Sequence, residues 1–312
     1  MRLSHALLTL ALVLASILPA HSATSLMLDW YPNPNHTTLN AAQTQGFFDE
    51  QGLQIDLQVP ADPNDPLKLV AAGKVDFAVS YQPTVLQARA EGLPVVAIGA
   101  LVQHPLSCVL YRKDQGITSP ADFKGKRIGY SVEPLYRVLF ETVAGQAGLT
   151  PRDYETVRVG FNLTQPLLSQ KIAGSSGAFR NYEAVQAELE GVEVGVFAFE
   201  DYGVPDFYEL VLIANEQTVN KTPEKVAGLI QALSKSTRWT LEHPEAARDT
   251  FFDSYPDSAN ELNRRAFEAT LPFFKGSPTQ TRQRWENLEA FMRDKDLLHN
   301  PVDLDTLVWQ PE

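Results

Sequence analysis

The chain has 312 residues, 44% of them hydrophobic and 21% charged, with 38 acidic against 26 basic side chains and a formal charge of -12. That length supports one large or two medium domains with real cores, and the acidity excludes the basic footprint that a nucleic-acid partner needs. Cys108 stands alone, so no internal disulfide is available, and with 6 histidines scattered along the chain the sequence proposes neither a metal centre nor a cofactor.

Arg2, the apolar run Ala6 to Ala20 and the small residues Ala20, Ser22 and Ala23 have the layout of a cleaved secretory signal over 1–23, with cleavage near 22–23. The run is short for a hydrocarbon core of roughly 30 Å. The expected product is a soluble periplasmic protein, and no cysteine stands at the cleavage point to take a lipid. Leu26 to Trp30 then reads as a strand, His36 to Gln45 as a helix, and Leu53 to Val59 alternates as a strand does. A helix over Pro66 to Ala72, a strand over Phe77 to Ser80, a helix over Pro83 to Ala90 and a strand over Val95 to Ala100 complete a first unit.

The middle of the chain repeats this scheme. Strands are expected at Ser107 to Tyr111, Arg127 to Tyr130, Thr156 to Val159 and Val194 to Phe199. Helical segments are expected at Pro120 to Phe123, Val138 to Ala147, Pro166 to Gln170 and Tyr182 to Leu189. Gly174-Ser175-Ser176-Gly177 is glycine-rich but lacks a phosphate-cradling pattern. After a strand over Tyr208 to Ile213, four long periodic segments read as surface helices: Pro223 to Thr240, Pro244 to Phe252, Ser258 to Phe274 and Thr279 to Met292. Alternating strands and helices predict mostly parallel α/β sheets. Two lobes follow, 24–105 plus 205–312 and 106–204, joined by crossovers near Leu106 and Val204.

Ligands of such sheets sit outside the carboxyl ends of the strands, and the informative loops fall there. They bring Asp29, Trp30, Tyr31 and His36 after the first strand, Ser80 and Tyr81 after the third, Tyr136 in the middle unit, and Asn181, Tyr182 and Glu183 near its end. Trp30, Tyr81, Tyr136 and Tyr182 offer flat walls for a heteroaromatic ring, or simply close a core. Glu183, at a helix start, either caps that helix or accepts hydrogen bonds from a ring amine. Asn181 has the same two options, and Asp29 either meets a ligand donor or orders its own loop. A neutral His36 imidazole both donates and accepts.

These residues resemble the periplasmic substrate-binding proteins of ATP-driven importers for thiamine pyrimidine precursors, in a family shared with the fungal pyrimidine synthase. The resemblance rests on Leu28-Asp29-Trp30-Tyr31-Pro32-Asn33 with His36, on Val79-Ser80-Tyr81-Gln82-Pro83, on Phe179-Arg180-Asn181-Tyr182-Glu183 and on Glu200 to Tyr208. It implies a two-lobed periplasmic binding protein fold of type 2 with an interlobe ligand cleft, and a monomer that works with an ABC permease and its ATPase. It also implies an aminopyrimidine ligand, formylaminopyrimidine or hydroxymethylpyrimidine, stacked by Trp30 and Tyr182 and read by Glu183. The alternatives are a receptor for a sulfonate, nitrate or aromatic anion, with Arg180 or Arg137 facing the cleft, and a ligand sensor for a membrane partner. The synthase branch holds its pyridoxal phosphate through a lysine and uses a reactive histidine and a cysteine-rich motif. The matching positions here are Ser80 and Thr84, and the chain has only Cys108, so the expectation is that it is not an enzyme.

Overall fold

The computed structural model describes residues 23–310. The expected secretory segment therefore lies, apart from Ala23, outside the described residues. The first sheet begins with β1 (Thr24–Met27), β2 (Ile55–Gln58), β3 (Phe77–Ser80) and β4 (Val95–Val102), connected through helices α1 (Thr37–Thr44), α2 (Asp65–Ala71) and α3 (Gln82–Ala90). Val95–Val102 is buried along its whole length, as befits a strand covered on both faces.

The chain then crosses to a second sheet. This holds β5 (Ser107–Arg112), β6 (Arg127–Tyr130), β7 (Glu155–Arg158), β8 (Gly174–Phe179) and β9 (Val194–Ala198), with α4 (Leu135–Gln146), α5 (Gln165–Leu168) and α6 (Glu183–Leu189) between them. It returns through β10 (Leu210–Asn215), which joins the first sheet, and ends in α7 (Glu216–Lys221), α8 (Pro223–Glu242), α9 (Pro244–Ser254), α10 (Glu261–Thr270), α11 (Arg282–Asp294) and α12 (Leu304–Leu307).

The strand orders are β2-β1-β3-β10-β4 and β7-β6-β8-β5-β9. In each sheet one strand runs against the rest: β10 is antiparallel to β3 and β4, and β5 to β8 and β9. Each reversed strand is the first one laid down after a crossing, so each sheet is locked by a strand arriving from the other.

β8 departs from the sequence expectation. Gly174-Ser175-Ser176-Gly177 has the composition of a loop, yet β8 pairs with both β5 and β6 and is the middle strand of its sheet. Small residues are needed because large ones crowd it. A Cβ on Gly174 would lie 2.9 Å from the Phe123 ring, and one on Gly177 would lie 2.3 Å from Tyr136. The serine hydroxyls are satisfied internally, Ser175 Oγ donating to the Leu163 carbonyl and Ser176 Oγ to that of Tyr136.

Candidate functional site

A narrow cleft opens between the carboxyl ends of strands from both sheets. Asp29 and Trp30 reach it from the loop after β1 and Tyr81 from the end of β3. Ser131 comes from the loop after β6 and Tyr136 from the first turn of α4, while Phe179 ends β8 and Tyr182 and Glu183 begin α6.

Aromatic rings close it from both sides. Trp30 meets Phe161 edge-on at 4.5 Å between centroids, Tyr31 meets Tyr182 at 6.2 Å and Tyr81 meets Tyr136 at 5.8 Å. Each pair joins a residue after a first-sheet strand to one from the second-sheet segment. Burial, and next the charge of Glu183, push the Tyr31 phenol up to about 12, so it stays a neutral donor.

Glu183 is the acidic side chain with an oxygen left over. It is 5% exposed, and Oε2 accepts from the Phe179 backbone N–H at 2.7 Å. Burial pushes its carboxyl from 4.5 up to about 7, against the pull of hydrogen bonds from the Phe179 N–H and from its own backbone N–H. Near neutrality it is thus both acid and carboxylate. A carboxyl group in that condition matches an edge that carries an amino donor beside a ring nitrogen acceptor.

Asp29 and His36 form a different unit. Asp29 Oδ1 lies 2.8 Å from His36 Nε2, and Oδ2 accepts from the Tyr81 hydroxyl at 2.8 Å. The Asn33 turn holds the imidazole: Asn33 Oδ1 accepts from the Asn35 N–H, and the Asn33 N–H donates to His36 Nδ1 at 3.3 Å. Since Nδ1 accepts, the ring proton sits on Nε2 and points at Asp29. His36 is therefore engaged at both nitrogens behind Asp29, while Asp29 itself lines the cleft.

Asn181 is also placed behind the wall. Its Nδ2 donates to Asn35 Oδ1 at 2.8 Å and to Thr270 Oγ1 at 2.7 Å, pinning the β8–α6 turn to the first turn of the chain and to α10. Ser80 faces away into a second, open pocket shared with Tyr81 and Thr84. The two hydroxyls at the positions that match the synthase lysine and histidine offer no amine there, and Lys68, which also lines that cavity, is exposed on α2. These residues do not fit a lysine-bound pyridoxal phosphate.

Sequence reasoning missed several contributors. Phe161 and Ser131 gave no signal beyond their place in loops. Glu209 gave one, an acid inside the apolar run from Phe207 to Ile213. It is wholly buried, with Oε2 accepting from the Leu106 N–H, the Ser107 N–H and Ser107 Oγ, and Oε1 from the Tyr136 hydroxyl. Burial raises its pKa against those bonds. The arginines considered for an anion are engaged elsewhere: Arg180 pairs with Glu200, and Arg137 with Glu133 and Glu141. Neither lines the cleft, which gives an anion no counter-charge. Among the described residues no group of three or more His, Cys, Asp or Glu gathers to hold a metal ion.

Comparison with known proteins adds to this geometry. The model of the NMT1/THI5 like family matches residues 33–247. A Haemophilus influenzae protein assigned to thiamine biosynthesis is 41% identical over 90% of this chain and 89% of its own. A formylaminopyrimidine-binding protein of Halalkalibacterium halodurans is 34% identical over 89% of this chain and 86% of its own. The 4-amino-5-hydroxymethyl-2-methylpyrimidine phosphate synthase of Legionella pneumophila is 31% identical over 91% of this chain and 90% of its own. The expectation that the chain is not an enzyme is overturned by that relative and by fungal relatives of the same name, such as one of Saccharomyces cerevisiae at 29% identity. Among solved structures, the periplasmic aliphatic sulphonate binding protein of Escherichia coli superposes with a TM-score of 0.71 at 15% identity, over 93% of this chain and 98% of its own. That likeness shows the fold, the α/β type 2 periplasmic binding protein architecture.

Proposed function

The chain belongs to the NMT1/THI5-like family, and from that premise we propose that it is the substrate-binding component of an ABC importer, taking a thiamine pyrimidine precursor from the periplasm. Its two lobes, 24–105 with 205–312 and 106–204, close by hinge motion around the ligand, and the closed pair of lobes is what the permease and its ATPase engage. Trp30 and Tyr182 hold the ring, Glu183 reads its amino edge, and Tyr81 and Tyr136 close the floor. Asp29, His36 and Asn181 shape the wall and keep the loops in register.

The observation that carries this reading is a buried carboxyl group, poised near neutrality, in a cleft walled by aromatic rings from both sheets. The name of the Halalkalibacterium relative supports formylaminopyrimidine as the ligand; hydroxymethylpyrimidine presents the same amino edge. Calorimetric titration of mature, ligand-stripped protein with both compounds, with thiamine, and with an alkanesulfonate and nitrate tests it. One-to-one binding of an aminopyrimidine is expected. Silence toward every pyrimidine, with heat from an anion, overturns it.

A second reading is favoured by the relatives named as phosphate synthases: the protein forms 4-amino-5-hydroxymethyl-2-methylpyrimidine phosphate. Mass spectrometry of the purified protein incubated with pyridoxal phosphate tests it: product above that of a heat-killed control would establish it, and none would leave the lack of an amine at Ser80 and Thr84 decisive.

A further inference from the structure

One fully buried side-chain oxygen in the cleft lining makes no hydrogen bond inside the protein. Ser131 follows β6 directly and lines the cleft. It is 1% exposed, and its Oγ has no hydrogen-bond partner. Among the described residues lining this cleft it is the one with such an orphaned buried oxygen. A buried hydroxyl without a partner costs stability, and alanine would fill nearly the same space without that cost. The fold therefore gives no reason for serine here.

Its position relative to Glu183 supplies one. β6 and β8 are parallel neighbours, with Tyr130 opposite Ser176. Ser131 therefore stands one step beyond that pair, beside Gly177, and Gly177 also lines the cleft. The space a side chain on Gly177 would need is filled by the Tyr136 ring, so an aromatic surface lies next to the serine. Glu183 is anchored two residues further along β8, by the N–H of Phe179. Ser131 thus faces the cleft from the end of β6 and Glu183 from the first turn of α6, its carboxylate held at the end of the neighbouring β8, about one strand spacing, ~4.8 Å, to the side and two residues further along. A flat ring whose amino edge meets Glu183 carries another ring position toward Ser131.

We propose that Ser131 is the specificity residue for the second substituent of the ring: its hydroxyl bonds a hydroxymethyl or formylamino group and so selects these over an apolar group at the same position. The proposal rests on the aminopyrimidine reading above. A hydroxyl suits both substituents because it donates to a formyl oxygen and either accepts from or donates to an alcohol. Sites built around such a hydrogen bond discriminate against analogues that lack the group, because their own polar atom is then left unpaired.

The test is a titration of wild type and Ser131→Ala with 4-amino-5-hydroxymethyl-2-methylpyrimidine and with 4-amino-2,5-dimethylpyrimidine, alongside thermal melts of both unliganded proteins. Wild type is expected to prefer the hydroxymethyl compound. Ser131→Ala is expected to lose about tenfold in affinity for it, to change little toward the dimethyl compound, and to melt no lower than wild type. Equal losses for both ligands, unchanged affinity for both, or a lowered melting temperature would overturn the assignment while leaving the aminopyrimidine reading intact. Failure of wild type to bind either pyrimidine would overturn both.

Discussion

In Glu183 one carboxyl group carries the proposed recognition role and a cost in stability. In the unfolded chain it releases its proton near 4.5, whereas in the folded protein burial holds the proton to about 7. Between those values the native state binds more protons than the unfolded one, so stability falls as pH rises through that window and is level above it. The whole effect amounts to about 3 kcal/mol. Unliganded wild type is therefore expected to be more stable at pH 5 than at pH 8, and Glu183→Gln, which cannot titrate, to lose that part of the slope. Because Glu209 is raised in the same direction, the informative quantity is the difference between wild type and variant in urea melts across the range. Parallel curves would show that Glu183 does not titrate as described. In the same substitution the one remaining oxygen is needed by the Phe179 N–H, so an NH2 group faces the ligand's amino edge and aminopyrimidine binding is expected to weaken as well.

At the level of elements, β3 and β6 fall where the sequence places them, Phe77–Ser80 and Arg127–Tyr130, because short apolar runs bounded by turns admit few other readings. The four segments after β10 are helical as expected, but the one over Ser258 to Phe274 is regular only across Glu261–Thr270, with 3-10 turns at Pro256–Ser258 and Leu271–Phe273. β8 was illegible for a physical reason. Its residues are chosen for what lies against them, and a single sequence does not say that Phe123 and Tyr136 press on it from elsewhere. The site follows the same rule: the aromatics and acids of the loops were legible by type, but Phe161, Ser131 and the spent nitrogens of His36 depend on which loops meet. Gly177→Ala tests the crowding. With φ at 86° and a Cβ 2.3 Å from the Tyr136 ring, the substitution is expected to cost roughly 2–4 kcal/mol and to displace Tyr136 from the cleft wall. A thermal melt together with the near-ultraviolet tyrosine signal reads both effects, and a variant that melts with wild type would mean the ring moves aside freely.

For the whole molecule the deciding feature is how the halves are joined. The chain passes between the sheets before β5 and again before β10, and Glu209 ties the two passages together by accepting from Leu106 and Ser107 while holding the Tyr136 hydroxyl in the cleft wall. Glu209→Ala leaves all of those donors without an acceptor and is expected to cost roughly 3–5 kcal/mol, with weaker ligand binding even in the molecules that fold. Wild-type stability in urea would remove Glu209 from that role.

Closure away from the joint rests on lighter contacts. Arg158 pairs with Asp62 across the cleft at 2.5 Å, but the two side chains are 43% and 39% exposed, which limits the pair to at most about 1 kcal/mol. The Asn64 side chain adds one bond to the Glu133 N–H. Arg265 on α10 pairs with Glu188 on α6 in an equally exposed contact, rings and amides around the cleft add to these, and a ligand between Trp30 and Tyr182 would add its own bridging contacts to both halves. The closed arrangement is thus set to depend on occupancy, since a ligand shifts an equilibrium only by what it binds differently in the two states. Arg158→Ala is expected to lower ligand affinity less than about fivefold and to leave the melting temperature of the unliganded protein unchanged. Small-angle scattering of wild type is expected to show contraction on adding the pyrimidine. Identical scattering curves with and without bound ligand would mean that the halves are held together by the protein alone, and that recognition by a membrane partner cannot rest on closure.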